Sequence, residues 1–145
     1  MDCKDAKTLA QTMASYISKY RLIYKSLNPV YSTALKSTVY FTSEGFNHLL
    51  FKHGHRRPNK EIQYRLPLIK LIIPVIKNCT SISKAIIEKE RKTSKSTIVY
   101  FYELSHIVGR KEPARVKVIV RKRGTQGKFH FLSVMKQKAP KKGAV

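Results

Sequence analysis

Two histidines and a small set of arginines are the side chains in this sequence best suited to chemistry. His130 lies in the run Lys128-Phe-His-Phe-Leu-Ser-Val134, just after Gly124-Thr-Gln-Gly127. Those four residues have hairpin-turn chemistry. If the turn pairs Arg123 with Lys128, Arg121 falls directly opposite His130 on one face of a sheet. An imidazole moves protons near neutral pH, and a guanidinium beside it holds the charge that builds on a reacting phosphate. That pair suits RNA cleavage. His48 falls on a helical stretch, about 100° per residue away from the stripe of Phe46, Leu49, Leu50 and His53. It is free to act, and it fits an ordinary surface histidine equally well. Arg65 borders the apolar face of a further helix, where it can snorkel to solvent or reach the sheet. Ser133 is three residues beyond His130. A regular strand would put the two on opposite faces, so Ser133 joins the site only if a bulge intervenes.

Metal chemistry has weaker support. His53-Gly54-His55 is an HxH pair, but a zinc site needs further ligands that the sequence does not supply. Cys3 and Cys79 lie far apart and form no CxxC or Cys/His cluster, and they read as free thiols of a reducing compartment. No metal and no cofactor are expected.

Charge narrows the partner class. The 145 residues carry 30 Lys and Arg against 8 Asp and Glu, a formal net charge of +22. Such a surface repels itself and favours a polyanion, whose binding releases counterions. From residue 105 to the C-terminus there is one acid, Glu112, so the charge there is not a mixed, solvated surface. Arg56 and Arg57 between His53 and Lys60, with Lys117, Arg123 and Lys128 around the hairpin, are expected to track phosphates by charge rather than to read bases. No run of about 18 apolar residues is present, and residues 1–25 carry acids with no apolar signal core, so neither a membrane span nor a signal peptide is expected.

The elements that must position these groups read as an α+β domain, with N-terminal helices packed on a C-terminal antiparallel sheet. Ala6, Leu9, Met13, Tyr16, Ile17, Tyr20 and Tyr24 follow helical spacing, and Asn28-Pro29 ends that helix. Residues 37–41 predict a short strand. Thr42 and Ser43 offer an N-cap, with Glu44 in the first turn, for a helix to about residue 53. His53–Lys60 reads as a basic loop. Residues 61–77 predict a helix bent at its start and stopped early, since Pro67 and Pro74 each remove a backbone donor. A helical turn is expected around Ile82–Lys89. Strands are expected at 98–104, 115–121 and 128–136, and residues 137–145 as a basic tail.

In that order and spacing, Val39-Tyr-Phe, a helix with His48 and His53, an Arg65 helix, Val116-Lys-Val-Ile-Val-Arg121 and His130-Phe-Leu-Ser-Val134 resemble the barnase–EndoU–colicin–RelE fold, and in particular its phage-associated branch of small nuclease-like toxin domains. The resemblance covers residues 38–136. It implies a metal-independent endoribonuclease, often a toxin, with helices on about four antiparallel strands and RNA on the exposed sheet face. Such enzymes use the substrate's own 2′-hydroxyl and leave a cyclic phosphate. By this resemblance His48 and His130 are base and acid candidates, Arg65 and Arg121 phosphate clamps, and Ser133 a hydrogen-bonding partner. Residues 1–36 become a helical extension to a ribonuclease-like domain at 37–136.

The expected partners are RNA, such as tRNA or mRNA, and an acidic antitoxin or immunity protein. The expected place of action is the cytoplasm, its own or that of a target cell into which the chain is delivered. The alternative is a non-catalytic RNA- or DNA-binding module, for which charge argues equally well. A structural or inhibitory protein that binds an acidic partner is a third reading.

Overall fold

The computed structural model describes residues 3–92, 95–109 and 111–138. Helix α1 (Cys3–Lys25) is followed by β1 (Val30–Ser32), β2 (Ser37–Tyr40) and α2 (Ser43–Leu50). A small hairpin of β3 (Phe51–Lys52) and β4 (His55–Arg56) leads into α3 (Asn59–Arg65), a 3-10 turn (Leu66–Leu68) and α4 (Ile69–Asn78). Four long strands complete the fold: β5 (Lys84–Lys92), β6 (Lys95–Val108), β7 (Ala114–Arg123) and β8 (Phe129–Lys138).

The strands form one six-stranded sheet in the order β1-β2-β8-β7-β6-β5, and β3 and β4 pair separately. All pairs in the large sheet are antiparallel except β2 with β8, which run parallel through Val39↔Phe129 and Tyr40↔His130. Along β7, Ala114, Val116, Val118 and Val120 alternate inward as buried residues. The three valines meet Leu104 of β6 and Ile69, Ile72 and Ile76 of α4 in one core. The alternation of β-branched residues with Arg and Lys makes this a sheet with one apolar face and one charged face.

The α+β reading holds, with differences in the sheet. It is mixed and six-stranded rather than an antiparallel sheet of about four strands. One added strand is β5, which occupies the stretch expected to hold a helical turn at Ile82–Lys89. Lys84-Ala-Ile-Ile-Glu-Lys-Glu has good helix formers, but pairing with β6 along its whole length overrides that weak preference. The other is β1, a three-residue strand too short to leave a periodic signal.

The expected helix at 61–77 is divided at Pro67, which sits in the 3-10 turn. It does not stop early. Pro74 lies inside α4, which runs to Asn78. Helix α2 ends at Leu50, three residues before the expected end, because Phe51 enters β3. The His53–Lys60 loop is therefore in part a hairpin turn. His53 and Gly54 both have positive φ, 51° and 78°, between the paired Lys52 and His55, the backbone that a tight two-residue hairpin requires. Strand β8 runs on through Lys138, into the expected tail, and residues 139–145 lie outside the described residues. Cys79 is buried, and the side chains of Cys3, Ala6 and Leu9 lie outside the described residues.

Helix α1 packs into the core of the elements that follow it. Met13, Tyr20 and Tyr24 are buried with the residues of α2, α4 and β8. Tyr24 donates a hydrogen bond from its hydroxyl to the Thr42 carbonyl at 2.5 Å. Its ring packs against Phe46 and Phe131. The first turn of α2 is thereby fixed from below. No helix among the described residues is long and apolar enough to cross a membrane.

Candidate functional site

The site begins with the contact of α2 against β8. Beyond Tyr40, β2 leaves the sheet and α2 takes its place along the edge of β8. Gly45 makes that seat possible. A Cβ there would stand 2.6 Å from the Phe131 carbonyl oxygen and 2.7 Å from the Tyr24 hydroxyl, so any side chain would push the helix off the strand. With Gly45 against the strand, Phe46, Leu49 and Leu50 turn into the core. Glu44 and His48, one helical turn apart, are left to face the charged side of the sheet.

On that side the hairpin register is the one its turn chemistry predicts: Arg121 is paired with His130. Glu44 reaches this pair from α2. Its carboxylate lies 2.6 Å from Arg121 Nη2 and 3.7 Å from Arg123 Nη2. Thr42, Glu44, Arg121, Arg123, Lys128 and His130 line an open pocket of about 350 Å³. Lys128 also lies over the Tyr40 ring, 5.0 Å from its centroid, and that ring is 6.2 Å from His130. A second cavity of about 460 Å³ opens beside His48, with Phe101, Ile119, Ile86 and Leu132 as apolar walls and Lys84, Glu88 and Glu103 at its rim.

Ser133 belongs to this same face, and the reason is a bulge. Ile119 pairs with Ser133 while Val120 pairs with Phe131, so Leu132 is one extra residue in β8. That insertion restores Ser133 to the side that carries His130. Arg65 reaches the sheet instead of snorkelling to solvent. Its Nη1 donates to the Val134 carbonyl at 3.2 Å and lies 3.5 Å from Ser133 Oγ, while its Nε donates to Glu61 at 3.2 Å.

Arg57 departs from its expected part as an exposed phosphate contact. It is only 5% exposed. Its Nε donates to the His48 carbonyl at 3.1 Å and its Nη1 to Glu61 at 2.6 Å. Glu61 thus stands between Arg57 and Arg65 and ties the end of α2 to β8. A guanidinium in that position braces the helix that carries His48. Arg56, by contrast, is exposed, with Asn59 as its partner at 2.8 Å. Lys117 is half-buried and lies 3.7 Å from Glu103.

The electrostatics follow from this crowding. Burial, then the fields of Arg57 and Arg121, holds the His48 imidazole below the ordinary histidine value; Arg65 adds to the effect and Glu44 opposes it. His130 is lowered likewise by burial and then by Arg121, with Arg123 and Lys128 adding and Glu44 opposing. In both rings the neutral form is favoured more than in a free imidazole. The Nδ1 atom of His48 is buried and without a hydrogen-bond partner. Nε2 is thus the nitrogen through which His48 can exchange a proton with a ligand. Among the described residues no three His, Cys, Asp or Glu side chains converge as metal ligands would.

His48, Arg65, Arg121, His130 and Ser133 are gathered on one face. Glu44 and Tyr40 are additions that sequence reasoning did not assign to it. Glu44 carries a signal only in retrospect: it stands one helical turn before His48. Comparison with protein-family models, with curated proteins and with solved structures found no match to this chain.

Proposed function

We propose that the chain is an endoribonuclease that cuts RNA through the substrate's 2′-hydroxyl, without a metal ion, and leaves a cyclic phosphate. The observation that carries this reading is the position of Arg121. It is paired across the strands with His130, bound by Glu44 from α2, and close enough to depress the protonation of both imidazoles. A phosphate drawn to Arg121, Arg123 and Lys128 meets the strand histidine, His130, while the helix histidine, His48, opens onto the cavity next to that pocket.

The chemistry then needs three things. A base must take the 2′-hydroxyl proton, an acid must protonate the departing 5′-oxygen, and cations must hold the extra charge of the phosphorane. His48 suits the base, because burial and three arginines favour its unprotonated form. His130 suits the acid, because a bound phosphate offsets Arg121, Arg123 and Lys128 and favours its protonated form. Arg121 holds the phosphoryl oxygens. Arg65 holds Ser133 and the β8 backbone in place. The 2′-oxygen bonds to phosphorus as the 5′-oxygen leaves, so the products are a 2′,3′-cyclic phosphate and a free 5′-hydroxyl.

The resemblance of these segments to small nuclease-like toxins supports a toxin that acts on cytoplasmic RNA. An acidic protein that covers the Arg121 face is the partner that charge complementarity favours for its control. A non-catalytic binding module is the second reading, favoured by the aromatic ring of Tyr40 under Lys128 beside the pocket. Incubation of the purified protein with total cellular RNA in EDTA separates the two. Fragments with cyclic-phosphate ends are expected. Intact RNA, under conditions where the protein binds it, would overturn the enzyme in favour of the module.

A further inference from the structure

The opposite face of the sheet carries a second feature that the cleavage reading does not use. Phe129 of β8, Lys122 of β7, Tyr100 of β6 and Ile87 of β5 form one row across four strands. Lys122 is paired with Tyr100, and Tyr100 with Ile87. Phe129 is two residues before Phe131, which pairs with Val120 on the same face. The row continues the core face beyond its buried part. Val118, Val120 and Leu104 are buried, Tyr100, Tyr102, Lys122 and Phe129 are half-buried, and Ile87 is 68% exposed.

The rings are arranged as a platform. Tyr100 and Tyr102 lie nearly parallel, with an interplanar angle of 10° and centroids 6.5 Å apart. Tyr102 also meets Phe129 at 5.6 Å. The Lys122 ammonium stands between them, 5.2 Å from the Tyr100 centroid and 5.0 Å from that of Phe129. The positions of β5 to β8 on this face next to the row are Ala85, Lys89, Ile98, Tyr102, Val120 and Phe131, with no carboxylate among them. The other face of the same strands carries Glu88 and Glu103.

Two accounts fit rings at the end of a core. They can close the core against water with Lys122 folded over them, or they can receive flat ligands. The first explains their apolar contacts and the lysine over them, but not the acid-free surround. We infer that Tyr100, Tyr102, Phe129 and Lys122 form a stacking platform for the bases of single-stranded nucleic acid, separate from the pocket at Arg121. Bases stack on aromatic side chains whatever their sequence, and a lysine between the rings is placed to meet the phosphate that joins two stacked nucleotides. Paired bases are already stacked within a duplex and cannot use such a surface. The inference does not depend on cleavage. A net charge of +22 calls for a polyanion in either case.

The test is binding of a short 2′-O-methyl single strand, which cannot be cut through a 2′-hydroxyl, measured by fluorescence anisotropy. Tyr100→Leu and Phe129→Leu keep apolar bulk and remove the ring. Each should weaken single-strand binding by about five- to a hundredfold, the range for one lost base stack. The salt dependence and the affinity for a duplex of the same sequence should stay unchanged. Wild-type affinity in both variants, or an equal loss with the duplex, would overturn the platform. If the variants do not fold, cross-linking of a 5-iodouridine single strand to the wild type decides the matter. Cross-links at Tyr100, Tyr102 or Phe129 support it, and cross-links confined to the Arg121 face overturn it.

Discussion

The two faces of strands β6 to β8 use the same backbone to opposite ends. On one face the cations are fixed. Arg121 is bound by Glu44, Arg65 by Glu61 and the β8 backbone, and Lys117 lies near Glu103. On the other, Lys122 rests on ring faces and the neighbouring positions carry no acid. Period-two alternation puts these sets on opposite sides, so one strand such as β7 supplies Arg121 to the first and Lys122 to the second. The difference teaches what each face can do. Charges held by hydrogen-bonded partners are preorganised to act on a reacting phosphate. Rings with a lysine resting on their faces suit a sequence-independent grip that needs no fixed hydrogen-bond geometry.

Substitutions confined to one face sharpen that contrast. The largest effect is expected from His48→Ala and His130→Ala. Each should slow RNA cleavage by about a hundredfold or more, as loss of a general acid or base does, while binding to the single strand stays near the wild-type level. Wild-type cleavage by both folded variants would break the assignment of chemistry to this face. Arg121→Gln should come next. It removes one cation from the pocket and leaves Glu44 with Arg123 alone of the two arginines, so the rate should fall, and the slope of log affinity against log salt should shrink by about one. Titration with salt checks it, and an unchanged slope would mean that Glu44 keeps Arg121 from phosphate altogether.

The smallest effect concerns pH. His48 and His130 are both held below the ordinary histidine value of about 6.5. In the window below that value the unfolded chain binds protons that the native chain refuses. Stability is therefore fully present above about pH 6.5 and lost as the pH falls toward the depressed values. The double variant His48→Gln, His130→Gln should flatten this loss in urea-unfolding curves taken between neutral and mildly acidic pH. An equally steep loss in the double variant would place the acid sensitivity elsewhere, in carboxylates such as Glu61.

Much of this arrangement was legible in local chemistry. Gly124-Thr-Gln-Gly127 and the alternation on either side set the β7–β8 register, and with it Arg121 beside His130. The helical spacing of Met13, Tyr20 and Tyr24 gave α1. What was hidden is what depends on distant partners. The bulge at Leu132 decides the face of Ser133, and no residue type announces it. Strand β5 is made by β6 against its own helix propensity. Arg57 looks in sequence like Arg56, yet one is buried against Glu61 and the other is exposed, since only Arg57 meets the end of α2. In the sequence Glu44 is simply a charge suited to a helix start, because its arginines come from distant β7.

That last separation bears on how the molecule comes into being. The parallel junction of Val39 with Phe129 and the seat of Gly45 on Phe131 join the two ends of the described chain. Contacts of such high order are costly to form and tend to form late, after local hairpins have closed. A chain emerging in order during synthesis has His48 well before β8. Until β8 emerges, α2 has no strand to lie on, Arg121 has no His130 opposite, and the two imidazoles are not brought together. The pocket at Arg121 is therefore a property of the assembled sheet, absent from any partial fold in which β8 has not yet met α2 and β7.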